Sequence, residues 1–218
     1  MFFGLIGAGV AGVLLGSRVQ DFLADHSPKS LSILPLGEHF RFYNVAGDFK
    51  KRTPADYKLT VNGLVDKPFT LSYAELRAMP PTKLVKDFQC VTGWRVPGVH
   101  WTGVRLSHLL DQAGVQDKGT ALLFTSFDGV YTESLTLEQA RRSDVIVAYD
   151  LDEKPLSDDH GGPVRLYVAP MYGYKSCKWL SGIEVVDRVI PGYWEDQGYD
   201  VDGWVGASNG RDDKPTSA

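Results

Sequence analysis

One cysteine stands out because of the residues around it. Cys90 lies in the stretch DFQCVTGWRVPGVHW, residues 87–101, between a short apolar run and a cluster of glycine, tryptophan, arginine and proline. A free cysteine is most often a small buried hydrophobe. Gly93 and Pro97, however, indicate a loop at the end of a strand, and Arg95 is close enough in sequence to lower the pKa of a thiol. The pattern favours a nucleophilic or metal-binding cysteine in a cleft.

A second stretch has the composition of an anion-binding site. DHGGPVRLYVAPMYGYKSCKWL, residues 159–180, brings His160, Arg165, Lys175 and Lys178 around one strand, with aromatic residues between them. Arginine and lysine on converging segments suit a phosphate or an electron-rich ring system. Each residue also has an ordinary structural interpretation, since His160 can cap a turn, Lys175 can be a solvated charge and Arg165 can pair with an acid.

The end of this stretch has a pattern of its own. If residues 176–178 continue a strand, alternation places the side chains of Ser176 and Lys178 on one face and that of Cys177 on the other. We therefore expect Ser176 and Lys178 to face the same site and Cys177 to be packed in the core.

Composition limits the possible classes of protein. The 218 residues are 43% hydrophobic, enough for one good-sized core, and the length is normal for a single domain. A formal net charge of −4 argues against a nucleic-acid surface, which needs an excess of Lys and Arg. With Cys90 and Cys177 as the only cysteines, there is no disulfide framework and no CxxC zinc motif.

The first residues are apolar without matching a standard signal. The run from Phe2 to Gly16 is shorter than the roughly 20 residues that a spanning helix needs, and it has no basic start. It contains Gly7-x-Gly9-x-x-Gly12, but no second buried strand ending in an acid follows, so a dinucleotide fingerprint is not favoured. We predict a helix over residues 1–24 that is a possible membrane anchor, followed by a linker over 25–36.

Many short strands and few helices predict an α+β domain. Ser72 with Glu75 and Thr136 with Gln139 form capping boxes of two short helices. A third helix is predicted directly after the cysteine loop, from Val104, and it stops at Gly114. Strand-like runs cover residues 57–61, 84–88, 121–127, 144–149, 164–169 and 179–186.

These motifs together resemble a known family. CVTGWR at 90–95, a later WxGVxLxxLL from Trp101, HGGPVR at 160–165 and YGYKSCKWL at 172–180 resemble the molybdopterin-binding domain of the sulfite oxidase superfamily. The motifs occur in the family's order and spacing between about Phe40 and Tyr199. The resemblance implies a mixed-sheet fold of the sulfite oxidase type, here over residues 37–205, with a disordered tail at 206–218.

The resemblance also implies roles for individual residues. Cys90 would be the protein thiolate on molybdenum, because a soft thiolate suits a high-valent metal that the pterin dithiolene already holds. Arg95 and Tyr199 match an oxyanion-binding arginine and an active-site tyrosine. The residues that match molybdopterin contacts are Asn44, Gly47, Asp48, Thr125, His160, Arg165, Ser176, Cys177 and Lys178.

Two departures bear on the substrate and the electron partner. Tyr43 stands where sulfite oxidases have an arginine before the early asparagine, and this weakens the case for sulfite. The haem and dimerisation domains of animal sulfite oxidases have no counterpart in this sequence. The chain is thus more similar to the short bacterial branch that includes periplasmic sulfoxide reductases.

The function implied is oxygen-atom transfer to or from a small S- or N-oxide at a Cys-ligated molybdenum–molybdopterin cofactor, with sulfite oxidation as the alternative. Electrons would be exchanged with a separate haem protein or quinol-linked membrane subunit. The protein is expected to be bacterial, and either membrane-associated through its first segment or cytoplasmic. A metal-free cysteine-nucleophile enzyme, with His100 or His160 as base, and a non-catalytic binding module remain open.

Overall fold

The computed structural model describes residues 40–206. The predicted anchor, the linker and the tail from residue 207 onward lie outside the described residues. Within residues 40–206, no helix is long and apolar enough to cross a membrane.

Ten strands and three short α-helices lie within residues 40–206. In chain order they are β1 (Lys58–Gly63), β2 (Phe69–Ser72), α1 (Tyr73–Ala78), β3 (Thr82–Gln89), β4 (Arg95–Arg105), α2 (Leu106–Ala113), β5 (Ala121–Ser126), β6 (Thr132–Thr136), α3 (Leu137–Ala140), β7 (Val145–Leu151), β8 (Lys154–Pro155), β9 (Arg165–Val168) and β10 (Leu180–Val186).

The strands form two sheets. The first has the order β2-β1-β10-β5-β6 and is mixed, since β1 and β10 are parallel and the other pairs are antiparallel. The second has the order β3-β4-β7-β8, with β9 also paired to β7, and is antiparallel throughout. The prediction of an α+β domain with mixed-sheet pairing is confirmed.

Strand β7 of the second sheet is covered on both faces, and this explains its apolar run. Along β7, Val145 and Val147 belong to the core between the two sheets, whereas Ile146 and Ala148 belong to a separate aromatic core on the other face. All four are fully buried. A strand buried on both faces has a continuous apolar run rather than an alternating one.

The helix predicted directly after the cysteine loop is separated from that loop by a long strand. Helix α2 ends as expected, because Gly114 adopts a left-handed conformation with φ of 69°. The eleven residues of β4 precede α2, so the predicted connection was wrong. Pro97 and Gly98 resemble loop residues, and a register shift between Thr102 and Gly103 interrupts the alternation that would have indicated a strand.

Gly103 allows β4 to pack closely against β7. A Cβ atom at Gly103 would lie 2.3 Å from the carbonyl oxygen of Val147, whereas nothing lies within 4 Å of a Cβ at Gly47. We expect Gly103→Ala to lower the free energy of unfolding of the cofactor-free protein by about 1 to 3 kcal/mol, because the two strands must separate. Gly47→Ala is the control, with an expected change within about 0.5 kcal/mol. Equal denaturation midpoints for the two variants would contradict the close approach.

Candidate active site

A cavity of about 230 Å³ lies beside the C-terminal end of β3 and the N-terminal end of β9. Segments that are far apart in sequence form its wall. The lining residues fall within 40–45, 88–94, 128–131, 159–165, 173–179 and 194–199.

Cys90 lies in the wall of this cavity, immediately after the last residue of β3. Its backbone N–H donates to the carbonyl oxygen of Trp94 (2.8 Å), and the N–H of Gly93 donates back to the carbonyl of Cys90 (3.0 Å). Gly93 closes this turn with φ of 101°, a conformation that favours glycine. The thiol is half-buried, and its sulfur lies 3.2 Å from the hydroxyl oxygen of Thr92. The turn therefore presents the sulfur to the cavity.

Arg165 places a buried positive charge in the wall. Its side chain donates to three backbone carbonyls, those of His160 (2.8 Å), Leu166 (3.3 Å) and Ser176 (2.9 Å). Within residues 40–206 it has no carboxylate partner, and the residue is only 4% exposed. Burial lowers the pKa of Arg165 to about 10. The dipoles of the carbonyls orient the guanidinium, but its charge is left for an anion to neutralise.

Lys178 adds a second cation. Its Nζ donates to the backbone carbonyl of Tyr43 (2.7 Å) and so joins the segment 40–45 to the rest of the wall. Burial lowers the pKa of Lys178 to about 8, and the neighbouring positive charges of Arg165 and Lys51 contribute in the same direction. Cations that repel one another in this way favour the binding of an anion.

His160 is held as a neutral ring with one nitrogen available. Its Nδ1 lies 2.8 Å from the hydroxyl oxygen of Ser157, and the ring packs edge-on against Phe40 and Phe42. Burial lowers the pKa of His160, so the imidazole is neutral at physiological pH. Its Nε2 is buried and has no hydrogen-bond partner among the described residues. An orphaned buried nitrogen marks a place where a ligand can complete the hydrogen bonding.

Ser176 and Lys178 both line the cavity and Cys177 does not. This placement was expected, but the strand alternation from which it was predicted is wrong. The chain here follows a 3₁₀ helix, Gly173–Lys175, and is not a strand. The hydroxyl of Ser176 accepts from the backbone N–H of Val168 (3.0 Å). Cys177 is fully buried in the core between the sheets, where burial raises the pKa of its thiol.

Several predicted site residues lie away from the cavity. Arg95 is on β4, with its Nε 3.9 Å from a carboxylate oxygen of Asp87, and does not line the cavity. Thr125 is within β5, where it pairs with β10. Gly47 and Asp48 are exposed and outside the lining, whereas the neighbouring Asn44 is part of it. The site roles of Arg95, Thr125, Gly47, Asp48 and Cys177 stay predictions, without support from the position of the side chain.

The predicted base His100 also lies elsewhere, because it is exposed on β4 and outside the lining. This placement does not favour the metal-free nucleophile hypothesis.

Four rings form one side of the cavity, and of these only Tyr199 was predicted. This aromatic wall consists of Tyr131, Tyr174, Trp194 and Tyr199. Tyr199 packs against Tyr174, with ring centroids 5.4 Å apart, and against Trp194, at 5.0 Å. The hydroxyl of Tyr131 donates to the backbone carbonyl of Tyr174. The frequency of aromatic residues around the motifs was the available signal, but it does not tell wall residues from core residues.

Arg41 and Asp128 are charged lining residues that sequence reasoning also missed. Arg41 directly precedes the Phe-Tyr-Asn motif and is half-buried. The carboxylate of Asp128 accepts from the backbone N–H groups of Val130 (2.9 Å) and Tyr131 (2.8 Å), which fixes the turn between β5 and β6. Neither residue had a distinguishing local pattern.

The interpretation of Lys175 as a solvated charge was wrong. Its side chain is fully buried and donates to the carboxylates of Glu133 and Glu195, the latter at 2.7 Å. Lys175 lies behind the cavity wall, between the lining residues Tyr174 and Ser176.

The residues of the cavity fit molybdopterin. Among residues 40–206, no group of three or more His, Cys, Asp or Glu side chains could hold a metal ion. A metal bound to Cys90 alone must therefore be held mainly by another ligand, as the pterin dithiolene would do. The cations Arg165 and Lys178, with the unpartnered Nε2 of His160, suit its anionic and hydrogen-bonding groups.

Comparison with known proteins agrees with this chemistry. The family model described as "Oxidoreductase molybdopterin binding domain" matches residues 46–194. The "Uncharacterized oxidoreductase YuiH" of Bacillus subtilis is 35% identical over 147 residues, which cover 67% of this chain and 74% of the relative. The "Protein-methionine-sulfoxide reductase catalytic subunit MsrP" of Campylobacter jejuni is 27% identical, over 87% of this chain and 73% of its own.

A solved structure extends the similarity to the fold. The sulfane dehydrogenase SoxCD from Paracoccus pantotrophus is 26% identical, with a TM-score of 0.60 over 65% of this chain. The chain spans 41% of that SoxCD chain.

The two cations give a prediction for cofactor binding. Lys178→Met should lower the molybdenum content of the purified protein several-fold, because a charge-assisted contact to a buried anion is worth about 1.5 to 3 kcal/mol. Lys51→Met removes a neighbouring charge outside the lining, and we expect it to retain the metal.

The same residue should make cofactor retention depend on pH. A bound anion raises the pKa of Lys178 above its value of about 8, so binding takes up a proton when the pH exceeds 8. Retention should be constant below pH 8 and fall by up to about tenfold per pH unit above it. Molybdenum analysis after dialysis at pH 7 and pH 9 measures this, and Lys178→Met should show a smaller difference. An equal loss in both proteins would rule out Lys178 as the titrating group.

Proposed function

The chain belongs to the family of oxidoreductase molybdopterin-binding domains, within the sulfite oxidase superfamily, and is a molybdenum cofactor-dependent oxidoreductase; we propose that it reduces a small S- or N-oxide by oxygen-atom transfer. The observation that carries the proposal is the cavity in which the thiol of Cys90 lies with the unneutralised cation Arg165. The thiol suits the metal and the cation suits the anionic cofactor.

Each residue has a defined task in this proposal. The cofactor, when bound, supplies the two-electron chemistry of oxygen-atom transfer. Cys90 orients the metal through its sulfur, while Arg165, Lys178 and the Nε2 of His160 hold the pterin. The hydroxyl of Tyr199 donates a hydrogen bond to the oxide oxygen and polarises its bond to sulfur or nitrogen.

The charges in the lining support a neutral oxide over sulfite. Within residues 40–206 the lining has three Arg or Lys residues, Arg41, Arg165 and Lys178, and the proposal assigns two of them, Arg165 and Lys178, to the cofactor. A dianion such as sulfite leaves water at a high cost unless several cations compensate for it. Tyr43, at the rim, is a neutral phenol and is 54% exposed. A neutral oxide needs one donor, and the hydroxyl of Tyr199 provides it.

The aromatic wall is also compatible with such a substrate. Thioether and sulfoxide sulfur atoms make favourable contacts with aromatic rings, worth about 0.3 to 1.5 kcal/mol for methionine. The Campylobacter relative is named a methionine-sulfoxide reductase, which supports an S-oxide as the substrate of this chain. Because that relative is named a catalytic subunit, its name also supports a separate electron donor. We propose a haem protein or a quinol-linked membrane subunit as that donor, with residues 1–24 as the attachment to a membrane.

Cys90→Ser tests the thiolate. The variant should fold normally but lose at least about 100-fold in kcat, the loss expected when a reacting centre is misplaced, because a hydroxyl is a poorer ligand for this metal. Val85→Ser, at an exposed position on β3, the strand that ends just before Cys90, is the control and should keep wild-type activity. A Cys90→Ser enzyme with full activity would exclude the assignment.

A direct comparison of substrates tests the reaction. Methionine sulfoxide reduction, driven by a reduced viologen dye, should be faster than sulfite oxidation in the same preparation. Tyr43→Arg should shift the ratio of the two kcat/KM values toward sulfite by about tenfold, which corresponds to one charge-assisted contact. Tyr43→Phe should leave the ratio unchanged. Fast sulfite oxidation without detectable oxide reduction would reverse the assignment in favour of the sulfite alternative.

A further inference from the structure

Three buried charged residues lie directly behind the cavity wall. This group, called here the Lys175 cluster, consists of Glu133 on β6, Lys175 in the 3₁₀ helix and Glu195 in a second 3₁₀ helix, Glu195–Gln197. The side chains of Glu133 and Lys175 are fully buried, and that of Glu195 is 2% exposed. The ammonium donates to Oε1 of each glutamate.

Each member of the cluster is within two residues, along the chain, of a residue of the aromatic wall. Glu133 comes two residues after Tyr131, Lys175 directly follows Tyr174, and Glu195 directly follows Trp194. The cluster thus joins the three separate segments that carry this wall.

The segment with Glu195 depends on the cluster for its position. Glu195 directs its side chain inward, and its backbone carbonyl accepts from the N–H of Gly198 (2.9 Å). The N–H of Tyr199 donates to the carbonyl of Trp194 (3.1 Å). Gly192 has to be glycine for this approach, because a Cβ there would lie 2.5 Å from the carbonyl oxygen of Thr132 on β6. Moving the Glu195 side chain therefore moves the turn that carries Tyr199.

The charges of the cluster do not balance unless a proton is present. Two carboxylates face one ammonium in the protein interior, and burial raises the pKa of Glu133 well above its usual value. With Glu133 protonated, the cluster is neutral and the ion pair is that of Lys175 with Glu195. Hydrophobic replacement of buried ion pairs is often neutral or stabilising, so general stability does not explain the cluster. The cluster is explained instead by its fixing the positions of the three segments relative to one another.

We propose that Glu195 is a positioning residue for the reaction, because its ion pair with Lys175 holds Tyr199 in the cavity wall. The role of Tyr199 rests on the proposed function, whereas the mechanical link between Glu195 and the turn does not. Glu195 itself does not line the cavity.

Two substitutions at one position separate positioning from general stability. Glu195→Leu removes the acceptor, and Glu133 then releases its proton and pairs with Lys175, so no buried charge is left alone. Glu195→Gln keeps an oxygen that accepts from Lys175. We expect Glu195→Leu to lower kcat for methionine sulfoxide about 10- to 100-fold, with KM and molybdenum content unchanged, and Glu195→Gln to restore kcat to within about twofold.

A double-mutant cycle tests whether Glu195 acts through the phenol. Glu195→Leu/Tyr199→Phe should lose no more activity than Tyr199→Phe alone. Without the hydroxyl of Tyr199, Glu195→Leu has no catalytic group to misplace. Multiplied losses in the double variant, or loss of molybdenum from Glu195→Leu, would overturn the positioning role.

Hydrogen exchange provides a readout that does not need activity. Mass spectrometry of the peptide covering residues 192–199 should show exchange at least about tenfold faster in Glu195→Leu than in the wild type, and unchanged exchange in Glu195→Gln. Faster exchange in Glu195→Leu without any oxide reduction in the wild type would refute the proposed function alone. Equal exchange in all three proteins would refute the positioning role.

A charge-free version serves as a second test if Glu195→Leu does not fold. Glu133→Gln/Lys175→Met/Glu195→Gln replaces all three ionisable side chains together and so leaves no unpaired charge in the interior. The same increase in exchange over residues 192–199 is expected there, and wild-type exchange would again overturn the proposal.

Discussion

The site depends on one buried charge that has no acidic partner among residues 40–206. Arg165 donates to the carbonyls of His160, Leu166 and Ser176, and these contacts bring the HGGPVR segment and the KSCK segment together at one end of the cavity. Carbonyl dipoles orient the guanidinium but do not cancel its charge. A folded protein that keeps such a cation in its interior has a place prepared for an anion. The molybdopterin cofactor of this family, with its dithiolene, is an anion of that kind.

The two sides of the cavity are held by different forces. On the cation side, hydrogen bonds from Arg165 and Lys178 to backbone carbonyls fix the segments, including the segment 40–45 that Lys178 reaches through Tyr43. On the aromatic side, the Lys175 cluster joins three segments from behind, and the rings pack against one another in front. Cys90 lies between these sides, in a turn at the end of β3, in the same sheet as β7, which is buried on both faces. The hydrogen bonds on one side and the ion pairs on the other hold the segments around Cys90. Its sulfur atom is thus presented in a fixed direction.

Much of the fold could be predicted because buried strands have apolar runs that are visible in the local sequence. The strands β5, β7, β9 and β10 were recognised as apolar runs, and both capping boxes formed as expected. Strand β4 was missed because Pro97, Gly98 and the register shift at Gly103 hide its alternation, although its pairing with β3 and β7 makes it central to the second sheet. Pairing between strands is a property of distant residues, and a single strand with turn-like residues does not reveal it.

For the site, the sequence by itself determined which residues have the required chemistry, namely a thiol in a tight turn at Cys90 and a cationic segment with His160, Arg165 and Lys178. Only the tertiary structure decided which charges face the cavity. Arg95, next to the cysteine in sequence, lies beside Asp87 and outside the lining, whereas Arg41 is part of it. Lys175, only three residues from Lys178, is fully buried between two glutamates. The physical reason is that the solvation and pairing of a charge depend on groups that come from remote parts of the chain, and no local pattern records where those groups will meet.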